Sequence, residues 1–227
     1  MSTFYIVATP IGNLEDITFR AVRILKEVDL ILCEDTRVTQ RLLKHYGITG
    51  KKLGTYNDQK SGINAGRVFE SLNDGKNIAL VSDAGTPGIS DPGVALVGKI
   101  KDEFGDSVKI ESVPGPSALT AALSVAGLPV HDFVFLGFLP HKKGRETIFR
   151  EIEQSERTVI FYESPHRILK TLESLVKFVP GKDVAIAREL TKIHEEVIRG
   201  TPEFIRDHFN KNKDTVRGEF VVMVSSK

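Results

Sequence analysis

The chain of 227 residues has one cysteine, a formal net charge of only +1 and no long apolar run. A lone cysteine excludes an internal disulfide and fits a reducing cytoplasm. Cys33 lies in Leu30-Ile31-Leu32-Cys33, the pattern of a buried strand, so it reads as structural and not as a nucleophile. No apolar stretch approaches the roughly 20 residues that cross a bilayer. The N-terminus, Met1 to Val7, lacks the basic flank and apolar segment of a secretory signal. A cytoplasmic protein with no membrane partner is expected. No His/Cys/Asp cluster has metal-ligand spacing, and no serine sits in a nucleophile elbow, so no metal and no covalent intermediate are expected. What remains is the binding and positioning of a small molecule.

The near-zero net charge does not by itself indicate a nucleic-acid partner, but its distribution is uneven. No acid occurs from Thr36 to Asn57, where Arg37, Arg41, Lys44, Lys51 and Lys52 stand. None occurs from Phe133 to Arg145 either, where Lys142, Lys143 and Arg145 surround Gly144. Such patches suit phosphates, and they suit solvated loops equally well.

Hydrophobic periodicity alternates strand and helix through the first half. Strands are expected at Thr3–Ala8, Leu30–Cys33, Lys52–Tyr56, Ile78–Val81 and Val108–Ser112, with helices at Thr18–Glu27, Thr36–Tyr46, Ala65–Leu72 and Pro92–Phe104. That alternation implies a mainly parallel sheet covered on both faces. Val113-Pro114-Gly115-Pro116-Ser117 ends regular structure, which places a domain boundary after residue 114. Residues 115–227 follow with helix Ser117–Ala126 and strand Phe133–Phe138, then helix Glu146–Gln154 and strand Thr158–Tyr162. Next come helix Pro165–Phe178, a hairpin-like region from Ala187 to Gly200, helix Pro202–Asn210 and strand Glu219–Val224. A mixed-sheet α/β domain is expected there.

Five loops after strands carry the chemistry. Thr9-Pro10-Ile11-Gly12-Asn13 lacks the G-x-G-x-x-G spacing that cradles a pyrophosphate, which disfavours a dinucleotide. Glu34-Asp35-Thr36-Arg37 reads either as a helix start with Thr36 as N-cap or as a charged pocket wall. Val81 to Gly93 holds three glycines, two prolines and two aspartates, more turn chemistry than joining a strand to a helix requires. Pro114-Gly115-Pro116-Ser117-Ala118 would aim backbone N–H groups at a ligand while Ser117 caps a helix. Tyr162-Glu163-Ser164-Pro165-His166-Arg167 is largely explained by helix initiation at Ser164-Pro165.

In order and together these loops resemble one family. Tyr5 to Leu14 with Asp16-Ile17-Thr18, then Glu34-Asp35-Thr36-Arg37, Val81–Gly93 and Pro114–Ala118 are similar to its signatures. Gly137-Phe138-Leu139-Pro140, Phe161–Arg167 and Ala187-Arg188-Glu189-Leu190-Thr191-Lys192 continue the match, which covers about residues 4 to 224. The family is ribosomal RNA small subunit methyltransferase I, of the tetrapyrrole methylase fold.

The resemblance implies a two-domain, S-adenosylmethionine-dependent enzyme that methylates a ribose 2′-hydroxyl on a decoding-site cytidine of 16S rRNA. It implies a homodimer and a cofactor held in the cleft between the domains. By motif position the cofactor contacts are Pro10, Ile11, Asp83, Gly85, Thr86, Ser117 and Ala118, with Tyr162, Leu190, Gly218 and Glu219 from the second domain. Deprotonating a hydroxyl calls for a carboxylate or a water held by one. The expected catalytic group is therefore Asp35 or Glu34, beside Arg37, with Glu189 and Arg188 opposite. Arg37, Arg41, Lys142, Lys143 and Arg145 are the expected phosphate contacts. Two departures from the family pattern stand out. Glu146 replaces an arginine usual after the Lys-Gly-Arg segment, which weakens that patch as an RNA grip. The sequence stops at Lys227, so what the helical C-terminal extension of many relatives adds to RNA binding is expected to be absent or supplied otherwise. A tetrapyrrole or other small-molecule methyltransferase of the same fold is the alternative, and a non-catalytic nucleoside-binding module is a further one.

Overall fold

The computed structural model describes residues 1–56 and 61–226. The chain divides into two compact units, Met1–Ser117 and Ala118–Lys227, three residues beyond the expected boundary. The first unit contains five parallel strands, β1 (Thr3–Val7), β2 (Leu30–Cys33), β3 (Lys52–Thr55), β4 (Ile78–Val81) and β5 (Lys109–Val113), in the order β3-β2-β4-β1-β5. All four residues of β4 are buried, as a central strand covered on both faces requires. On one side α1 (Phe19–Glu27) and α2 (Thr36–His45) contribute Ile24, Leu25 and Leu43 to a core with Val7, Ile31 and Val81. On the other, α3 (Ser61–Asn73) and α4 (Val94–Phe104) contribute Val68, Leu72, Leu96 and Ile100, packed on Phe4, Leu32 and Leu80. Parallel strands bring all their carboxyl ends to one edge, so the loops after β1, β2, β4 and β5 emerge together, where open α/β sheets bind ligands.

The second unit begins with α5 (Ala118–Val125) and continues through β6 (Phe133–Phe138), α6 (Arg145–Gln154), β7 (Thr158–Glu163) and α7 (Ile168–Phe178). Then follow β8 (Val184–Arg188), β9 (Glu196–Gly200), α8 (Pro202–Lys211) and β10 (Phe220–Val224). The sheet order is β6-β7-β10-β8-β9, parallel between β6 and β7 and antiparallel elsewhere, a mixed sheet as expected. Helices α6, α7 and α8 bury Phe149, Leu172 and Phe209 against Val159, Phe161, Ile186 and Val222.

The start of α7 departs from the sequence reading. Helix α7 begins at Ile168, not at Pro165, because Ser164–Arg167 forms a turn in which Arg167 and Ile168 donate their N–H groups to the Ser164 carbonyl. The Glu163 carboxylate accepts the Ser164 N–H at 2.9 Å and the Arg167 Nε–H at 2.6 Å, which holds that turn in place of a capped helix.

Candidate functional site

Backbone bonding ties the loops of the first unit's carboxyl edge to one another. Thr9 and Gly85 exchange two N–H···O bonds of 2.9 and 3.1 Å, and the Thr9 hydroxyl donates to the Ser82 carbonyl. The Thr86 hydroxyl donates to the Pro116 carbonyl at 3.1 Å, joining the β4 and β5 loops. Between β2 and β4 the links are carboxylates: Asp83 accepts the Asp35 N–H at 3.1 Å, and Glu34 accepts the Asp83 N–H at 3.2 Å. Three acids thus converge on adjacent strand ends. Burial pushes the Cys33 thiol up, a bond with Thr39 partly offsets that, and the charges of Asp83, Asp35 and Glu34 add to the rise. Cys33 is accordingly a buried strand residue and not a nucleophile.

These loops enclose a pocket of about 290 Å³. One wall is the β1 loop with Thr9, Pro10, Ile11 and Leu14; another is α2 with Val38, Arg41 and Leu42; the floor holds Ser82 and Asp83. The expected residues Pro10, Ile11, Asp83 and Arg41 therefore meet in one place. Gly85, Thr86 and Ser117 lie in the adjoining loops. Val38, Thr39, Leu42 and Ser82 were not anticipated. The signal for the α2 residues was present, since 38, 41 and 42 share a helix face through the i, i+3, i+4 spacing that carries Arg41.

Two expectations are corrected by the structure, the N-cap of α2 and the exposure of Arg145. The N-cap of α2 is Asp35, not Thr36: its carboxylate accepts the Arg37 N–H at 2.8 Å. The same carboxylate accepts both Nε and Nη2 of Arg37, and these bonds lower its pKa from 3.8 to about 2. Bonded to a guanidinium, this carboxylate is a weaker proton acceptor than an unpaired one. Arg145, expected at a phosphate, is only 8% exposed. Its Nη2 donates to Thr171 Oγ1 at 2.6 Å and pairs with Glu163 at 3.4 Å, which removes it from any RNA surface.

In the second unit Leu190 is buried, and Glu189, Gly218 and Glu219 form one cluster. Glu189 and Thr191 take positive φ of 51° and 67°. Gly218 takes a φ of +76°, which favours glycine, and a Cβ there would meet the Glu189 side chain where it stands. Burial works against the Glu189 carboxylate, but bonds from Lys192 and the Glu219 N–H outweigh it and hold its pKa below the ordinary value. Glu189 thereby anchors this loop through Lys192 and the Glu219 N–H. Arg188 is likewise committed, to Glu196 at 3.1 Å. Tyr162, half-buried near the end of β7, packs its ring against Phe135 and Phe138. Among the described residues no group of three or more His, Cys, Asp or Glu is arranged to hold a metal, and no helix is long and apolar enough to cross a membrane.

Residues 3–204 match the family described as Tetrapyrrole (Corrin/Porphyrin) Methylases. The chain is 48% identical over 225 residues to the Ribosomal RNA small subunit methyltransferase I of Hydrogenobaculum sp. (strain Y04AAS1), covering 98% of this chain and 95% of that one. It is 44% identical over 227 residues to the protein of the same name from Thermotoga maritima, covering 100% of both. A solved uroporphyrin-III C-methyl transferase from Thermus thermophilus, complexed with S-adenosyl homocysteine, aligns at a TM-score of 0.65 with 16% identity, over 99% of this chain and 97% of that one. Similarity at that identity concerns the fold. The full-length identities and the matched domain together show that the chain belongs to the ribosomal RNA small subunit methyltransferase I family of the tetrapyrrole (corrin/porphyrin) methylases.

Proposed function

We propose that the protein is an S-adenosylmethionine-dependent methyltransferase that methylates the 2′-hydroxyl of a decoding-site cytidine in the 16S rRNA of the small ribosomal subunit. The observation that carries this reading is the 44% identity that spans the whole of both chains with the Thermotoga maritima relative, whose name states its RNA substrate. The first unit's pocket supports it. Apolar Pro10 and Ile11 line it together with the Asp83 carboxylate, a hydrogen-bond acceptor, a combination that suits a molecule with an adenine ring, hydroxyls and an ammonium group.

Pro10, Ile11, Asp83, Gly85, Thr86 and Ser117 are the proposed cofactor contacts of the first unit, and Ala118, Tyr162, Leu190, Gly218 and Glu219 those of the second. S-adenosylmethionine when bound supplies a methyl group already activated on a sulfonium. The chain's own task is alignment of the ribose oxygen, and such positioning contributes roughly 7–11 kcal/mol in well-oriented systems. Asp35 and Glu189 each being bonded to a cation, Glu34 is the proposed acceptor of the hydroxyl proton, directly or through a water. Arg41 on the pocket wall, with Arg37, Lys142 and Lys143, is proposed to meet phosphates. A homodimer in the cytoplasm belongs to the same reading.

Incubating the protein with labelled S-adenosylmethionine and either small ribosomal subunits or a uroporphyrinogen tests the substrate. Label in the RNA is expected. Label in the tetrapyrrole would replace this reading with the small-molecule alternative, and cofactor binding without transfer to either would leave a nucleoside-binding module.

A further inference from the structure

The edge strand of the second unit's sheet carries a bulge that sets an exposed aromatic ring. β6 pairs with β7 as Phe133↔Thr158, Val134↔Val159 and Phe135↔Ile160, then slips so that Phe138 stands opposite Tyr162. Gly137 absorbs the extra residue at a φ of +63°, a conformation that side chains other than glycine's resist. Without the slip, Phe138 would point to the opposite face from Phe135. With it, both rings meet Tyr162 edge-on at centroid distances of 5.0 and 5.5 Å. Phe138 nevertheless remains 57% exposed. The bulge turns an aromatic ring outward and props its edge against a second ring.

The loop that follows is cationic and fixed at its base. His141, Lys142 and Lys143 are exposed, and no acid lies between Phe133 and Arg145. The next acid, Glu146, faces Arg150 and Lys177. Arg167 Nη1 donates to the Leu139 carbonyl at 2.8 Å and Arg145 Nη1 to the Pro140 carbonyl at 3.2 Å. Both guanidinium groups are held by Glu163, which is 1% exposed. A loop clamped in this way presents its lysines with little ordering left to do on binding.

We propose that Phe138, Lys142 and Lys143 form a binding site for single-stranded RNA, in which one unstacked base lies on the Phe138 ring and the flanking phosphates meet the two lysines. An exposed aromatic followed four and five residues later by two exposed cations, with no acid between them in the sequence, is a combination that single strands recognise, because every base offers a π-face and every nucleotide a charge. The proposal rests on the rRNA reading above and adds where in the second unit the substrate is gripped.

The chain contains no tryptophan, so Phe138→Trp introduces a single fluorescent probe at the site. Saturable quenching by a single-stranded RNA 12-mer, with none by a duplex of the same length or by inorganic polyphosphate, is the expected result. Phe138→Ala should weaken binding of the 12-mer about 5- to 100-fold, the range of one lost stacking contact. The oligomeric state should stay unchanged. The double variant Lys142→Ala/Lys143→Ala should lower the salt slope of RNA binding by about one to two. Absent quenching, or wild-type RNA affinity in Phe138→Ala, overturns the site. A change of oligomeric state in Phe138→Ala overturns it in favour of a contact between copies of the chain. Should the wild-type protein methylate small subunits while the variants show none of these effects, the site fails and the rRNA reading stands. Wild-type protein that neither methylates subunits nor binds RNA ends both.

Discussion

The two units place their charge in opposite ways. In the first, Glu34, Asp35 and Asp83 stand at open strand ends, bonded to backbone N–H groups and to the exposed Arg37. In the second, Glu163 is fully enclosed between Arg145 and Arg167, with Thr171 completing its bonds. Exposed ion pairs contribute little to stability, whereas removing one member of a buried set leaves charges that water does not reach. The first arrangement leaves carboxylates available to a ligand; the second fixes a loop. An acid in a strand-end motif is therefore not functional by type alone, and its burial decides which task it performs.

The largest effect that distinguishes the units should come from Glu163→Ala. Two buried guanidinium groups would lose their counter-charge, costing about 3–5 kcal/mol of stability in denaturant unfolding. A loss as small as that of an ordinary surface substitution would erase the contrast. Next, Asp83→Ala should keep a native melting curve yet weaken S-adenosylmethionine binding roughly 10- to 100-fold by calorimetry, as loss of a charged hydrogen bond of about 1.5–3 kcal/mol implies. Unchanged affinity would remove Asp83 from the cofactor site. Arg41→Ala should lower RNA affinity and reduce its salt slope by about one.

The smallest effect concerns Asp35. Its folded carboxyl titrates near 2 instead of 3.8, so its contribution to stability is complete above pH 3.8 and is lost as pH falls toward 2. Asp35→Asn should flatten that part of the acid-unfolding curve and leave turnover near neutral pH close to wild type. A collapse of turnover at neutral pH would identify Asp35 as the base.

Much of the architecture was legible because burial on both faces of a parallel sheet demands short continuous apolar runs. Leu30–Cys33 and Ile78–Val81 form strands over those same residues. The pocket was partly legible for a related reason: parallel strands send their following loops to one edge, so Pro10, Ile11 and Asp83 had to emerge there. What escaped the sequence depends on partners distant along the chain. Arg145 reads as one more cation beside Lys142 and Lys143, and only folding brings Glu163 and Thr171, 18 and 26 residues away, against its guanidinium. The Ser164-Pro165 helix start was misjudged for a local cause, because the adjacent Glu163 carboxylate captures the nearby donors first. Asp35 was a question of competition: local spacing shows an acid beside an arginine, and geometry shows that the arginine has already taken it.

The central claim is tested most directly at the nucleoside level. Small ribosomal subunits lacking the modification would be incubated with the protein and S-adenosylmethionine, their 16S rRNA digested to nucleosides, and the products separated by mass spectrometry. The account predicts a gain of 2′-O-methylcytidine with no new base-methylated nucleoside. Methyl groups found on a base, or none in the RNA at all, would contradict it.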